Sequence, residues 1–396
     1  MRIRRTVLTV LLAGSLAACQ SGSPERTPLP AEPSPPAPSS AGSPPAPPAP
    51  APPSASVASA SPSPARTASL PKPGNPAGRA TIPAAAKPAD TGDPDRTVGD
   101  GTPASCTSAA VVKAVAAGGV ITFDCGPSPV RITLTETAKV RNDVAAIVLD
   151  GGGRVTLSGG GKRRILYMNV CDPAQGRSSA GGDCHAKATP RLTVQNMAFT
   201  RGNATDPTDE TGGGGAIFAN GGGLKVVNSR FTGNRCHGTG PDLGGAAIRV
   251  RLQGANQPVY VVGSTFTGGV CSNGGALSSI GVSWTLLNSH FSGNAAVGDG
   301  ANPARDGTPG GGSGGAVYQD GDTYKLTLDG TLIEKNRAAE GGGAIFFVSN
   351  DRTGNLTIRN STLRRNVSEG FETDGLPGVF YLGPGNPAVT GSRLSG

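Results

Sequence analysis

Apolar residues in the second half of this chain fall into columns. Phe199, Phe231, Phe266, Phe291, Ile333, Leu363 and Leu394 occupy one equivalent position, often followed three residues later by Asn. Seven residues upstream of each stand Leu192, Leu224, Val259, Trp284, Leu326, Leu356 and Pro387; five upstream stand Val194, Val226, Val261, Leu286, Leu328, Ile358 and Val389. The two upstream columns lie two residues apart, the spacing that sets side chains on one face of a strand. The pattern recurs after 32, 35, 25, 42, 30 and 31 residues. A helical hairpin repeat would need a 3.6-residue periodicity and few glycines, and neither is present.

Between the columns, Gly-Gly-Ala-apolar precedes each variable turn, as in GGAIFANGGGLKVVNSRFTGN from Gly214. Short strands separated by Gly and Asn turns predict three strands per repeat, stacked as parallel sheets around a continuous core. The expected fold is all-β, a right-handed parallel β-helix over residues 101–396. Asn234, Asn294, Asn336 and Asn366 fit turn positions where Asn tolerates the left-handed region, and such ladders can hydrogen-bond between coils. Thr107 to Ala117 reads as a short amphipathic helix ending at Gly118-Gly119, placed to cover the open end of the stack.

The Gly-Gly-Ala-[Ile/Leu/Val] and Phe-x-x-Asn pair is similar to the repeats of chlamydial polymorphic outer-membrane proteins and related bacterial β-helix surface proteins. CTSAAVVKAVAAGGVITFDCG and IVLDGGGRVTLSGGG resemble the N-terminal cap and first coils of such proteins. The resemblance covers roughly residues 105–396 and implies a fold and a surface location more than an activity. No stretch reads as a membrane barrel like that of the chlamydial proteins, so anchoring is expected at the front of the chain.

There, Arg2, Arg4 and Arg5 precede a short apolar run, Val7 to Ala13, and then Leu16-Ala17-Ala18-Cys19. Residues 1–19 resemble a bacterial lipoprotein signal, which implies lipidation of Cys19 and a membrane partner through that anchor. Gln20 after the cysteine implies outer-membrane or cell-surface delivery in two-membrane bacteria of the enteric type. Residues 20–100 hold 22 of the 35 prolines and no aromatic residue. That composition predicts a disordered Pro/Ala/Ser-rich linker.

Seven cysteines become six once Cys19 is set aside, and export favours disulfides. Cys236 and Cys271 each lie five residues after their column phenylalanine, so they face each other on successive coils within disulfide reach. Cys106 and Cys125 flank the cap helix, and Cys171 and Cys184 would close a Gly/Asp/Ser-rich loop. Zinc-type Cys-x₂-Cys spacing is absent, and no metal site is expected from the cysteines.

The net charge of +8 leaves about +5 on residues 101–396 once the signal's +3 is removed. No Lys/Arg cluster with interleaved aromatics occurs, so nucleic acid is not an expected partner. Asp150 reads as a turn residue, Trp284 as core, and His290 as an outward position for which the sequence offers no partner. No second exposed aromatic is expected beside Trp284. The turn before each Gly-Gly-Ala varies most in length and forms the candidate loop face: Asp206, Asp209, Glu210, Asp242, Asp299, Arg305 and Asp306. Side-by-side carboxylates there have the chemistry to hold Ca²⁺ or to serve as acid and base; no other cofactor is implied. The expected function is a non-enzymatic, lipid-anchored adhesion or polymer-binding module facing a polysaccharide or a cell-surface partner. The alternative is an extracellular polysaccharide lyase or hydrolase; no catalytic residue is assigned.

Overall fold

The computed structural model describes residues 70–176, 184, 187–206, 211–254 and 257–396. Cys19, the signal and the linker up to residue 69 lie outside the described residues, as do Asp209 and Glu210.

Strands from successive repeats pair in parallel and in the register that the columns predict. Leu192 lies beside Leu224, Val259 beside Trp284, Trp284 beside Leu326 and Leu326 beside Leu356. The strands fall into three parallel sheets, so the molecule is a parallel β-helix. One coil illustrates the path. Gly223–Val227 and Arg230–Thr232 lie in sheet 1, Arg235–Cys236 in sheet 3, and Ile248–Arg251 in sheet 2. Each such coil therefore has four short strands rather than three, because sheet 1 is bent. The bend comes from a residue in the left-handed region between its two strands: Asn196 (φ 52°), Asn228 (46°), Gly263 (53°), Asn288 (51°), Gly330 (62°), Asn360 (47°) and Gly391 (57°). Asn and Gly are the residues that adopt this conformation at least cost.

After five of these bends the next residue is small, polar and buried: Ser229, Ser264, Ser289, Thr331 and Ser361. The backbone N–H of Ser229 donates to Ser264 Oγ at 3.1 Å, and the same contact repeats from Ser264 to Ser289 and from Thr331 to Ser361. Each of these hydroxyls also donates back to a carbonyl, as Ser264 does to Val262 at 2.9 Å. At the next corner the expected asparagine ladder forms, but the left-handed residue is the one before each asparagine and not the asparagine itself. Asn294 donates to Asn336 Oδ1 at 2.9 Å, and Asn336 to Asn366 Oδ1 at 2.9 Å. Both corners would otherwise bury unpaired backbone groups, at about 1–3 kcal/mol each.

Inside the coils Phe199, Phe231, Phe266 and Phe291 stack face to face, with successive centroids 4.9, 4.6 and 4.7 Å apart. Trp284 is core, its indole N–H given to buried Ser279 at 2.9 Å. The cysteine pairs are Cys106–Cys125, Cys171–Cys184 and Cys236–Cys271, the last with its Cα atoms 4.7 Å apart. Helix α1, Ser108–Ala117, is capped by Thr107, whose hydroxyl accepts from the N–H of Ala110 at 3.2 Å. Its buried Val111, Ala114 and Val115 close the first coils.

The linker expectation for residues 20–100 needs correction from Leu70 onward. Residues 70–95 form a strap that runs up the bend of sheet 1 and back down. Leu70 donates to Gly153, Asn75 reaches the carbonyls of Asn288 and Gly330, and Ala89 exchanges two hydrogen bonds with Gln195. Asn288 grips the strap twice, accepting from the N–H of Ala80 at 2.8 Å and donating to its carbonyl at 2.9 Å. Ala86 is buried against Val227, Val262 and Leu287. A Cβ at Gly78 would sit 2.6 Å from the carbonyl of Gly330, so the close approach requires glycine there. Arg96–Val98 then pairs with Gly119–Phe123 as an added rung below the stack.

Candidate functional site

The variable turns lead from sheet 3 into sheet 2, so both the loops and the outer face of sheet 2 belong to one side of the coil. Along each sheet 2 strand, side chains alternate between core and exterior. Phe218, Arg249, Ser278, Tyr318 and Phe346, each just after a Gly-Gly-Ala run and its apolar residue, point outward and align with Tyr167 and Phe380, which follow other sequences. Tyr167 and Phe218 stack at 5.5 Å, Tyr318 and Phe346 at 4.9 Å, and Phe346 and Phe380 at 5.1 Å. Phe371, from the last variable turn, meets Phe380 edge-on at 4.8 Å.

The loops cover the middle of this column, and Tyr167 at its lower end is only partly buried. Phe218, Arg249, Tyr318 and Phe346 are buried, whereas Phe371, Phe380 and Leu382 are only partly buried. Phe371 and Phe380 lie on the sheet 2 side, away from the sheet 1 column of Trp284, and were not singled out in the sequence. Phe218, Tyr318 and Phe346 each follow a Gly-Gly-Ala-apolar run, whereas Phe380 follows Leu376-Pro377-Gly378-Val379 and carries no such signal. Only the sheet 1 columns reveal themselves by being uniformly apolar; this one mixes Phe, Tyr, Arg and Ser.

Arg249 is held by Ser278 Oγ at 2.6 Å and by the carbonyl of Asp242 at 2.5 Å. Burial pushes its guanidinium down to about 10, opposed by the charges of Asp242 and Asp320. Beside it, Tyr318 donates to Asp320 Oδ2 at 3.1 Å, and Asn302 donates to Tyr318 Oη at 2.7 Å and to Asp320 Oδ2 at 2.9 Å. Asn302 also reaches Asp242 Oδ1 at 3.3 Å. Burial raises the Asp320 carboxyl, and hydrogen bonds from Gly321, Tyr318 and Asn350 oppose the rise.

The candidate loop residues divide. Asp206 and Asp306 are exposed at loop surfaces. Asp242 is brought to the 297–312 loop through Asn302. Arg305 forms a two-pronged ion pair with Glu340, 2.6 Å on each side, and lies 3.7 Å from Asp299. Glu340 Oε1 also accepts from the N–H of Gly300 at 2.9 Å. Glu369 pairs in the same way with Arg337 at 2.6 Å. These acids therefore meet arginines and backbone amides, and they fix loop shape. Among the described residues, no group of three or more His, Cys, Asp or Glu is gathered tightly enough to hold a metal ion.

Other sequence candidates also find partners. His290 lies on the outer face of sheet 1 and meets Glu334 Oε1 at 3.1 Å, a partner 44 residues away that the sequence did not offer. Asp150 is a turn residue as expected, accepting from Gly152 at 2.9 Å, and it also anchors the strap through Thr91 at 3.0 Å. A cavity of about 470 Å³ beside it is walled by the strap, from Leu70 to Pro73. Its guanidinium, that of Arg230, is already given to the carbonyl of Pro71 at 2.7 Å.

Residues 330–348 match the family model of the Chlamydia polymorphic membrane protein repeat. That stretch is three of the four strands of one coil: bend Gly330, ladder Thr331, core Ile333, ladder Asn336 and the Gly-Gly-Ala run entering sheet 2. No curated protein and no solved structure matches the chain.

Proposed function

We propose that this is an exported, lipid-anchored surface protein that binds an extended polymer or cell-surface partner on the outer face of sheet 2. The carrying observation is the half-open aromatic pair Phe371 and Phe380, set on the stacked rings of Phe346 and Tyr318. Aromatic rings give large contact area for little lost side-chain freedom, and their flat faces suit stacking against sugar rings or apolar partner groups. Glu340 and Glu369 are engaged in holding their own loops, which favours the rings as the ligand-facing feature. The lipoprotein-like front of the chain and the match to a polymorphic membrane protein repeat support the surface location.

A glycan array probed with the purified full chain tests this reading. Binding is expected, and Phe380→Ala should weaken it by about tenfold, the loss of one good aromatic contact. Undiminished binding by the variant, with its β spectrum intact, would remove the aromatic face from the account. Shorter glycan products in the same wells would favour the polysaccharide-cleaving alternative.

A further inference from the structure

Sheet 1 contributes two columns of left-handed residues, and they differ in a way that conformation alone does not explain. The column at its bend contains only Asn and Gly, from Asn196 to Gly391. The other column lies just before the asparagine ladder: Arg201 (φ 51°), Gly233 (58°), Gly268 (62°), Gly293 (64°), Lys335 (57°) and Arg365 (54°). Every residue here that is not glycine is basic. Lys and Arg gain nothing from the left-handed region, which favours Gly first and Asn or Asp next. Strained residues that persist where an unstrained one would fit point to a role for the side chain. The bend column is the comparison: its side chains also make bonds, as Asn288 does to the strap, yet only Asn and Gly occur there.

Lys335 and Arg365 occupy this column on successive coils, linked by the Lys335 N–H to the carbonyl of Arg364 at 3.2 Å. Both are exposed, and so is Arg393, which pairs in register with Thr362 on the last rung. Arg364, Arg365 and Arg393 line a cleft of about 280 Å³ with Thr362, Ser395 and Gly396. The nearby carboxylates are engaged elsewhere: Glu334 with His290 and Arg364, and Asp329 with Arg359 at 3.3 Å. Lys335 and Arg365 therefore present cations at the coil spacing of roughly 4.8 Å along the stack, with Arg393 on the last rung set three residues to the side of their column. That spacing is close to the rise of one sugar in an extended glycan.

We propose that Lys335, Arg365 and Arg393 form a binding ridge for a linear polysaccharide with one carboxylate per sugar. It lies on a different sheet from the aromatic pair and does not rest on that pair's role. One uronate would meet Lys335 and the next Arg365, with Arg393 flanking them, and exposed charges of this kind give affinity that salt weakens.

The test uses the full chain, with alginate as the polyuronate probe and dextran as the neutral one. The parent should bind alginate, lose binding as salt is raised, and ignore dextran. Lys335→Gly with Arg365→Gly should lower alginate affinity by about tenfold or more. The double variant should melt no lower than the parent, because glycine suits both backbone positions. Equal alginate binding by parent and variant, or none by either, would overturn the proposal. So would equal binding of dextran, or capture by anionic phospholipid vesicles in place of alginate. An affinity loss accompanied by a falling melting temperature would assign these residues to the fold instead.

Discussion

Glu340 shows how a single buried carboxylate sets the shape of a loop. It sits under residues 297–312, joined to both ends of the Arg305 fork and to the amide of Gly300. The bonds from Arg305 hold its carboxyl below the usual glutamate value of 4.5, against the opposing effect of burial. A carboxyl lowered in the folded state contributes stability that is complete above its unfolded value and is lost as pH falls through its folded one. The Gly300 amide should therefore be protected from hydrogen exchange at neutral pH and lose protection as pH drops below 4.5. Glu340→Gln should show weak protection throughout, with little further dependence on acid. Asp320 acts with the opposite sign: burial raises its carboxyl, so acidification relieves a cost there. A Gly300 amide as protected in the variant as in the parent would mean that the ion pair does not hold the loop. Glu340 went unnoticed in the sequence because it stands alone in a run of Ala and Gly, and its partner lies 35 residues away.

At the scale of the element, the columns of sheet 1 were legible because period-2 apolar positions are fixed by burial, and a one-residue slip would turn them all outward. The same regularity made the Cys236–Cys271 pair readable from equal offsets. The strap was not legible. Its Pro/Ala composition argues for disorder when apolar burial alone is weighed, whereas it is held by backbone groups and by Asn288, Asn75 and Gln195. Hydrogen bonds of that kind leave no periodic trace. Asn288→Gly keeps the left-handed bend and removes both side-chain bonds to Ala80. Limited proteolysis should then cut within residues 70–90 markedly faster, while the stack keeps its β circular dichroism. Each lost bond is worth about 0.5–1.5 kcal/mol, enough to raise the open fraction of the strap severalfold. Cleavage at the parent rate would show that Ala86 and the other contacts suffice without Asn288.

The whole molecule combines a legible scaffold with a less legible surface. Its core is a one-dimensional stack, so each coil repeats the same burial problem and the sequence repeats the same answer. The outer face of sheet 2 has no such constraint. Tyr167, Phe218, Arg249, Ser278, Tyr318, Phe346 and Phe380 share a column but not a residue type, because loops of different length cover each of them differently. Location belongs to this scale as well, and it rests on the first residues of the chain. If Cys19 carries the anchor, a membrane-impermeant label applied to intact cells should react with the β-helix, and the protein should fractionate with membranes. Cys19→Ser should move it to the soluble exported fraction with its three disulfide pairs intact. The combined labelling and fractionation experiment is the most direct test of a surface-displayed, lipid-anchored β-helix. The account predicts a labelled, membrane-bound parent and a soluble exported variant; an unlabelled parent, or a variant that stays with the membrane, would contradict it.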